Sequence, residues 1–136
     1  MIVVDASAMV VALSSSSAEG EAARSAMTAD DMWIAPTHMP LEVIRTLRKA
    51  VVGGHLAEDD AEAAFAALLA SEITYVGVSE ARLRASWAMR HNVSAYDAAY
   101  LVIAAEYGAR LVTFDTRLAK AAEQVAPSVS VSVSVL

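Results

Sequence analysis

Cysteine is absent from this 136-residue chain. Its absence excludes a disulfide scaffold, a thiolate zinc site and a cysteine nucleophile, and accords with a reducing compartment. Long apolar runs are absent too. Although 57% of the residues are hydrophobic, the run after Asp5 ends at Leu13 in four serines, short of the ~18 residues that a membrane-spanning helix needs. No basic segment precedes the apolar start Met1-Ile2-Val3-Val4, so no secretory signal is expected. Basic residues are scarce: 10 Lys and Arg face 16 Asp and Glu, for a formal net charge of −6. That balance excludes a protein that coats nucleic acid through charge alone. Phosphate-cradling GxxxxGK and GxGxxG motifs are missing as well. The expectation is one soluble, cytoplasmic domain spanning residues 1–136, with no membrane association and enough chain to bury an ordinary core.

What the chain does have is alternation. Short apolar runs at Ile2–Val4, Trp33–Ala35, Ile73–Val76 and Arg110–Phe114 read as strands, and the alternating Val–Ser tail Val129–Val135 as a fifth. Between them lie helical stretches. Thr37 is placed to cap a helix through Val51 that Gly53-Gly54 ends, with Pro40 in its first turn. Ser79 opens a helix to about His91, and Ser94 caps another through Tyr107, closed by Gly108. Trp33 and Trp87 stand in apolar contexts that suggest core positions. Strands alternating with helices predict an α/β domain with a mostly parallel sheet.

Open parallel sheets bind ligands at the carboxyl ends of their strands. Asp5 directly follows the first strand and Asp115 the fourth, while Glu42 and Asp97 fall in the first turns of helices whose starts can reach the same edge, so that four acids could converge there. Each acid also has a plain structural role open to it. Asp5 and Asp115 suit helix caps, Asp97 completes a capping box with Ser94, and Glu42 complements a helix dipole. Context weighs against caps alone for two of them. Asp5 is the only charged side chain in the first 18 residues, and Asp97 shares its helix with only Glu106. Carboxylates in apolar surroundings are rarely buried without a partner, and several at one edge repel one another unless a cation intervenes. Four converging acids without sulfur or paired imidazoles favour Mg²⁺, or Mn²⁺, over zinc, and an acidic Mg²⁺ site suits phosphodiester hydrolysis. The histidines, His38, His55 and His91, match no ligand spacing and suit surface or helix-end roles.

Four segments carry a resemblance. Ile2-Val3-Val4-Asp5-Ala6-Ser7, Pro40-Leu41-Glu42-Val43-Ile44-Arg45-Thr46-Leu47, Ser94-Ala95-Tyr96-Asp97-Ala98-Ala99-Tyr100-Leu101 and Leu111-Val112-Thr113-Phe114-Asp115-Thr116-Arg117-Leu118 resemble, in order and spacing, the motifs of PIN domains in VapC-type toxins of toxin–antitoxin pairs. The resemblance implies a five-stranded parallel sheet in the order 3-2-1-4-5. It also implies Mg²⁺-dependent endoribonuclease activity, often on tRNA or ribosomal RNA, checked by a cognate VapB-like antitoxin. Carried over, Asp5, Asp97 and Asp115 would bind metal, Glu42 would complete the acidic set, and Ser7 and Thr113 would support it; helix capping for Ser7 and a plain strand role for Thr113 remain open. Arg45 and Lys49, on Glu42's face, and Arg117, two residues past Asp115, are placed to position phosphates. The valine-rich tail offers an edge for association, and the family is commonly a homodimer. Two other classes compete. A phosphotransferase using Asp5 would need a second acid near the first strand's end, where Ser7 stands. A non-catalytic PIN-like module would bind RNA or protein without cleaving.

Overall fold

In the computed structural model, which describes residues 1–133, the short apolar runs assemble into one sheet. Its strands are β1 (Ile2–Val4), β2 (Trp33–Pro36), β3 (Ile73–Val76), β4 (Arg110–Thr113) and β5 (Val131–Val133). All pair in parallel, in the order β3-β2-β1-β4-β5. The α/β class and the 3-2-1-4-5 order are thus both as expected. Of the expected tail strand Val129–Val135, Val131–Val133 pairs with Leu111–Thr113, and positions 134–136 lie outside the described residues.

Seven helices among the described residues link the strands: α1 (Ala6–Ser14), α2 (Ala18–Thr28), α3 (Met39–Val52), α4 (Glu58–Ala70), α5 (Glu80–Ala88), α6 (Ala95–Tyr107) and α7 (Thr116–Val125). α1 packs against α2, α3 and α4, while α6 crosses β1, β2 and β4. β1, at the centre, is buried along its whole length, as a parallel strand covered on both faces must be. That is why Ile2-Val3-Val4 shows no polar alternation.

Helix ends follow their caps. Ser79 Oγ accepts from the Arg82 amide and Ser94 Oγ from the Asp97 amide, and Gly108, at φ +60°, turns the chain out of α6 through a conformation that only glycine adopts freely. α3 begins one residue later than expected. His38, not Thr37, takes the cap position, and its carbonyl accepts from the Leu41 and Glu42 amides. Pro40 in this first turn forfeits only an amide that has no intrahelical partner anyway. α3 buries the stripe Met39, Val43 and Leu47 and leaves Ile44 exposed.

Trp33 meets expectation: it is half-buried, and its Nε1 donates to the carbonyls of Met27 and Asp30. Trp87 does not, being 68% exposed. It sits on α5, which packs chiefly on α6 and buries none of its residues; the Arg90 guanidinium covers its ring at 4.6 Å.

The tightest backbone approach joins α1 to α2, where a Cβ on Gly20 would lie 2.0 Å from the Ser15 carbonyl oxygen. Gly20→Ala is therefore expected to destabilise the domain by about 2 kcal/mol or more, despite a helix-propensity gain near 1 kcal/mol. Gly77→Ala, with nothing within 4 Å of the added methyl, should stay within about 0.5 kcal/mol. Urea unfolding of both variants compares them, and equal midpoints would contradict the packing account.

Candidate active site

The register of β1 on β4, with Val4 beside Val112, sets the residue after β1 against the end of β4. Asp5 is consequently 4% exposed and its neighbour Thr113 fully buried. Every oxygen of the Asp5 carboxylate is engaged. Oδ1 accepts from Ser7 Oγ at 2.7 Å and from the Ala8 amide at 2.9 Å, capping α1; Oδ2 accepts from the Thr113 hydroxyl. The same hydroxyls tie in the β4 side: Ser7 Oγ accepts from the Phe114 amide at 3.0 Å, and Thr113 Oγ1 from the Asp115 amide at 2.9 Å. Ser7 lies inside α1 and does not cap it, whereas Thr113 is both a strand residue and an Asp5 donor.

The other acids arrive from three further elements. Asp115 caps α7, accepting from the Arg117 and Leu118 amides. Glu42 lies in the first turn of α3 and Asp97 in the first turn of α6. The cap roles read for Asp5 and Asp115 are therefore real, and they leave each carboxylate with free lone pairs. Asp5, Glu42, Asp97 and Asp115 line one cleft of about 330 Å³, together with Ser7, Arg45, Lys49 and Tyr100. Thr113 lies beneath Asp5. Arg117 is not among the lining residues: its guanidinium is 92% exposed, with Nε 3.7 Å from Asp115 Oδ1.

Convergence is incomplete in one respect. Among the described residues no three acidic or histidine side chains stand close enough to form a ready-made ligand cluster. The charges nevertheless act on one another. Burial raises Asp5 to about 6 against the opposing pull of its three hydrogen bonds, with the Asp115 charge adding to the rise. Burial also pushes Asp97 above the usual carboxylate range, and the charges of Asp115 and Glu42 push it further. Mutual repulsion keeps such groups apart, and a divalent cation relieves it. All-oxygen donors of this kind suit a hard ion such as Mg²⁺ or Mn²⁺, so the residues fit a metal by the chemistry of the donor set.

Sequence reasoning missed two supports. Tyr100, 58 residues away in sequence, donates its hydroxyl to Glu42 Oε1 at 2.7 Å; burial and the Glu42 charge raise its pKa and hold it as a donor. His38 Nε2 lies 3.1 Å from the same oxygen but off the hydrogen-bonding axis. Both residues fall in or beside the recognised segments, yet nothing local marks them as partners of Glu42.

A parallel sheet of this order, with four carboxylates lining a cleft at its switch point, is an open α/β architecture with an acidic site, and comparison with known proteins gives it a family. The PIN domain family model matches residues 2–124. Ribonuclease VapC1 of Mycobacterium tuberculosis is 35% identical over 119 residues, covering 88% of this chain and 89% of that protein. Ribonuclease VapC3 of the same organism is 35% identical over 120 residues, covering 88% and 86%. In fold, the chain is similar to the crystal structure of M. tuberculosis VapC20, a sarcin–ricin loop cleaving toxin, with TM-score 0.67 at 20% identity over 89% of this chain and 95% of that one. The chain belongs to the PIN-domain family, among its VapC-type ribonucleases.

The raised Asp5 pKa has a measurable sign. A folded value near 6 against an ordinary 3.8 means that the folded state keeps a proton the unfolded chain has lost. Asp5 therefore favours the fold at pH 4 and opposes it at pH 7, by on the order of 3 kcal/mol in metal-free protein. Asp5→Asn keeps the cap acceptor and removes the charge. Its stability advantage over the wild type in EDTA should grow from near zero at pH 4 to that order at pH 7, read by urea unfolding. An advantage independent of pH would contradict the buried ionised carboxylate.

Proposed function

We infer that this chain is a metal-dependent endoribonuclease toxin that hydrolyses RNA phosphodiester bonds and is neutralised by a cognate VapB-like antitoxin. The observation that carries this reading is the meeting of four carboxylates from four separate elements in one cleft of a PIN-family chain. The relatives' names, Ribonuclease VapC1 and VapC3, point to RNA, and the fold neighbour's to a structured ribosomal loop. Structured RNA such as tRNA or rRNA, cut in exposed single-stranded loops, is the substrate class.

Asp5, Asp97 and Asp115 would hold Mg²⁺, with Mn²⁺ an alternative. When bound, the ion supplies Lewis acidity for activating water and for stabilising the leaving alkoxide. The rest of the chemistry belongs to the protein. Ser7, Thr113 and the Ala8 amide hold Asp5 in one orientation. Tyr100 holds Glu42, leaving its second oxygen to orient a water or take a proton. Arg45 and Lys49, in the cleft wall, offset the acidic field where a phosphate must approach; Arg117, at the margin, offers a further contact. The protein acts in the cytoplasm as a homodimer. No helix among the described residues is long and apolar enough to cross a membrane.

Total cellular RNA incubated with the purified chain should be cleaved in Mg²⁺ or Mn²⁺ and left intact in EDTA. Asp97→Asn and Glu42→Gln should each lower the rate on the order of 100-fold or more with the melting curve retained. Full activity in either variant removes that residue from the site. A wild-type protein that binds RNA yet cleaves none in any divalent metal would be a binding-only module.

A further inference from the structure

A second cleft, of about 190 Å³, opens beside the acidic one at the carboxyl ends of β2 and β3, walled by His38, Gly77, Arg82, Leu83, Tyr96 and Ala99, among others. His38 and Tyr96 form the partition between the two. His38 approaches Glu42 on one side, and its ring meets Tyr96 edge-on at 5.1 Å and Tyr100 at 5.4 Å. Tyr96 directly precedes Asp97, so the backbone that delivers an acid to the first cleft delivers an aromatic ring to the second. That ring remains 63% exposed, beside Val78 at 79% and Leu83 at 57%. The cation in this wall is already spent. Arg82 donates Nε and Nη2 to the Glu106 carboxylate at 2.8 Å each and Nη1 to the Gly77 carbonyl at 3.1 Å. The second cleft thus presents an apolar and aromatic surface with its positive charge neutralised, which suits a flat, uncharged ring and not a phosphate.

We propose that this cleft receives a nucleobase of the RNA strand, adjacent to the phosphate engaged in the acidic cleft, with Tyr96 as its stacking platform. The proposal rests on the endoribonuclease reading for its substrate. Continuity supports the base over other occupants. A strand whose phosphate lies among Asp5, Asp97 and Asp115 carries its neighbouring base within reach of the residue next to Asp97, and exposed aromatic rings bind bases by stacking whatever the sequence.

The test separates the two readings by measuring binding without cleavage. In EDTA at about 0.15 M salt, which screens the repulsion between the acidic cleft and the strand, the full chain is titrated into a fluorescein-labelled single-stranded RNA and into the same strand made with abasic riboses. The wild type should prefer the base-bearing strand by about tenfold or more. Tyr96→Ala and the cleft-narrowing Ala99→Leu should abolish that preference, and Tyr96→Phe should keep it. In Mg²⁺, Tyr96→Ala should raise KM and leave kcat nearly unchanged. No preference in the wild type, or a preference retained in Tyr96→Ala, overturns the base site and leaves the cleft to a partner protein's side chain. Absence of Mg²⁺-dependent cleavage by the wild type overturns the nuclease reading alone, since the binding comparison in EDTA still decides the base site.

Discussion

The pairing of β1 with β4 sets Asp5 against Thr113, and the candidate site is built outward from that contact. A carboxylate this deeply buried is costly unless its oxygens are satisfied. Thr113, Ser7 and the Ala8 amide satisfy them. Because the same two hydroxyls accept the amides of Phe114 and Asp115, the backbone turn after β4 is fastened to the turn after β1. Asp5 and Asp115 are consequently placed by one network, not two. A hydroxyl lost from either position would loosen both acids at once.

The outer half of the site is less rigid and more electrostatic. Glu42 and Asp97 come from the first turns of α3 and α6, and Glu42 is steadied by Tyr100 across the cleft. Helix starts favour negative charge through their dipoles, so each acid suits its own helix. Together they oppose one another: burial does most to raise Asp97, and the charges of Asp115 and Glu42 raise it further. An overall net charge of −6 would repel RNA from such a cleft. Arg45 and Lys49, inside its wall, give local relief, and a bound cation would give more. Binding of the ion and approach of the substrate are thereby linked through the same repulsion.

β1 was readable in sequence because it is buried on both faces and so carries an unbroken apolar run, and β4 because its buried centre Leu111-Val112 is apolar. Ser79, Ser94 and Gly108 marked helix ends because capping chemistry is local. Thr37 misled because it and His38 are adjacent and only the hydrogen bonds of the turn decide between them. Trp87 misled for a different reason. Whether an apolar ring is covered depends on which elements flank its helix, and α5 has little beyond α6 against it. The four acids were visible as residues that follow strands or open helices in apolar surroundings. Their meeting in one cleft followed from parallel topology, which sends the ends of β1 and β4 to the same edge. The Glu42–Tyr100 bond and the partition formed by His38 and Tyr96 were invisible, since they arise where α3 and α6 face each other from distant parts of the chain.

The central claim is that Asp5, Asp97 and Asp115 share one divalent ion. A crystal of the protein grown with Mn²⁺, measured at the manganese absorption edge, tests it most directly. The account predicts an anomalous peak inside the cleft, in contact with carboxylate oxygens of all three residues, and its loss in crystals of Asp97→Asn. A peak elsewhere on the molecule, or none in the cleft at saturating Mn²⁺, would contradict it.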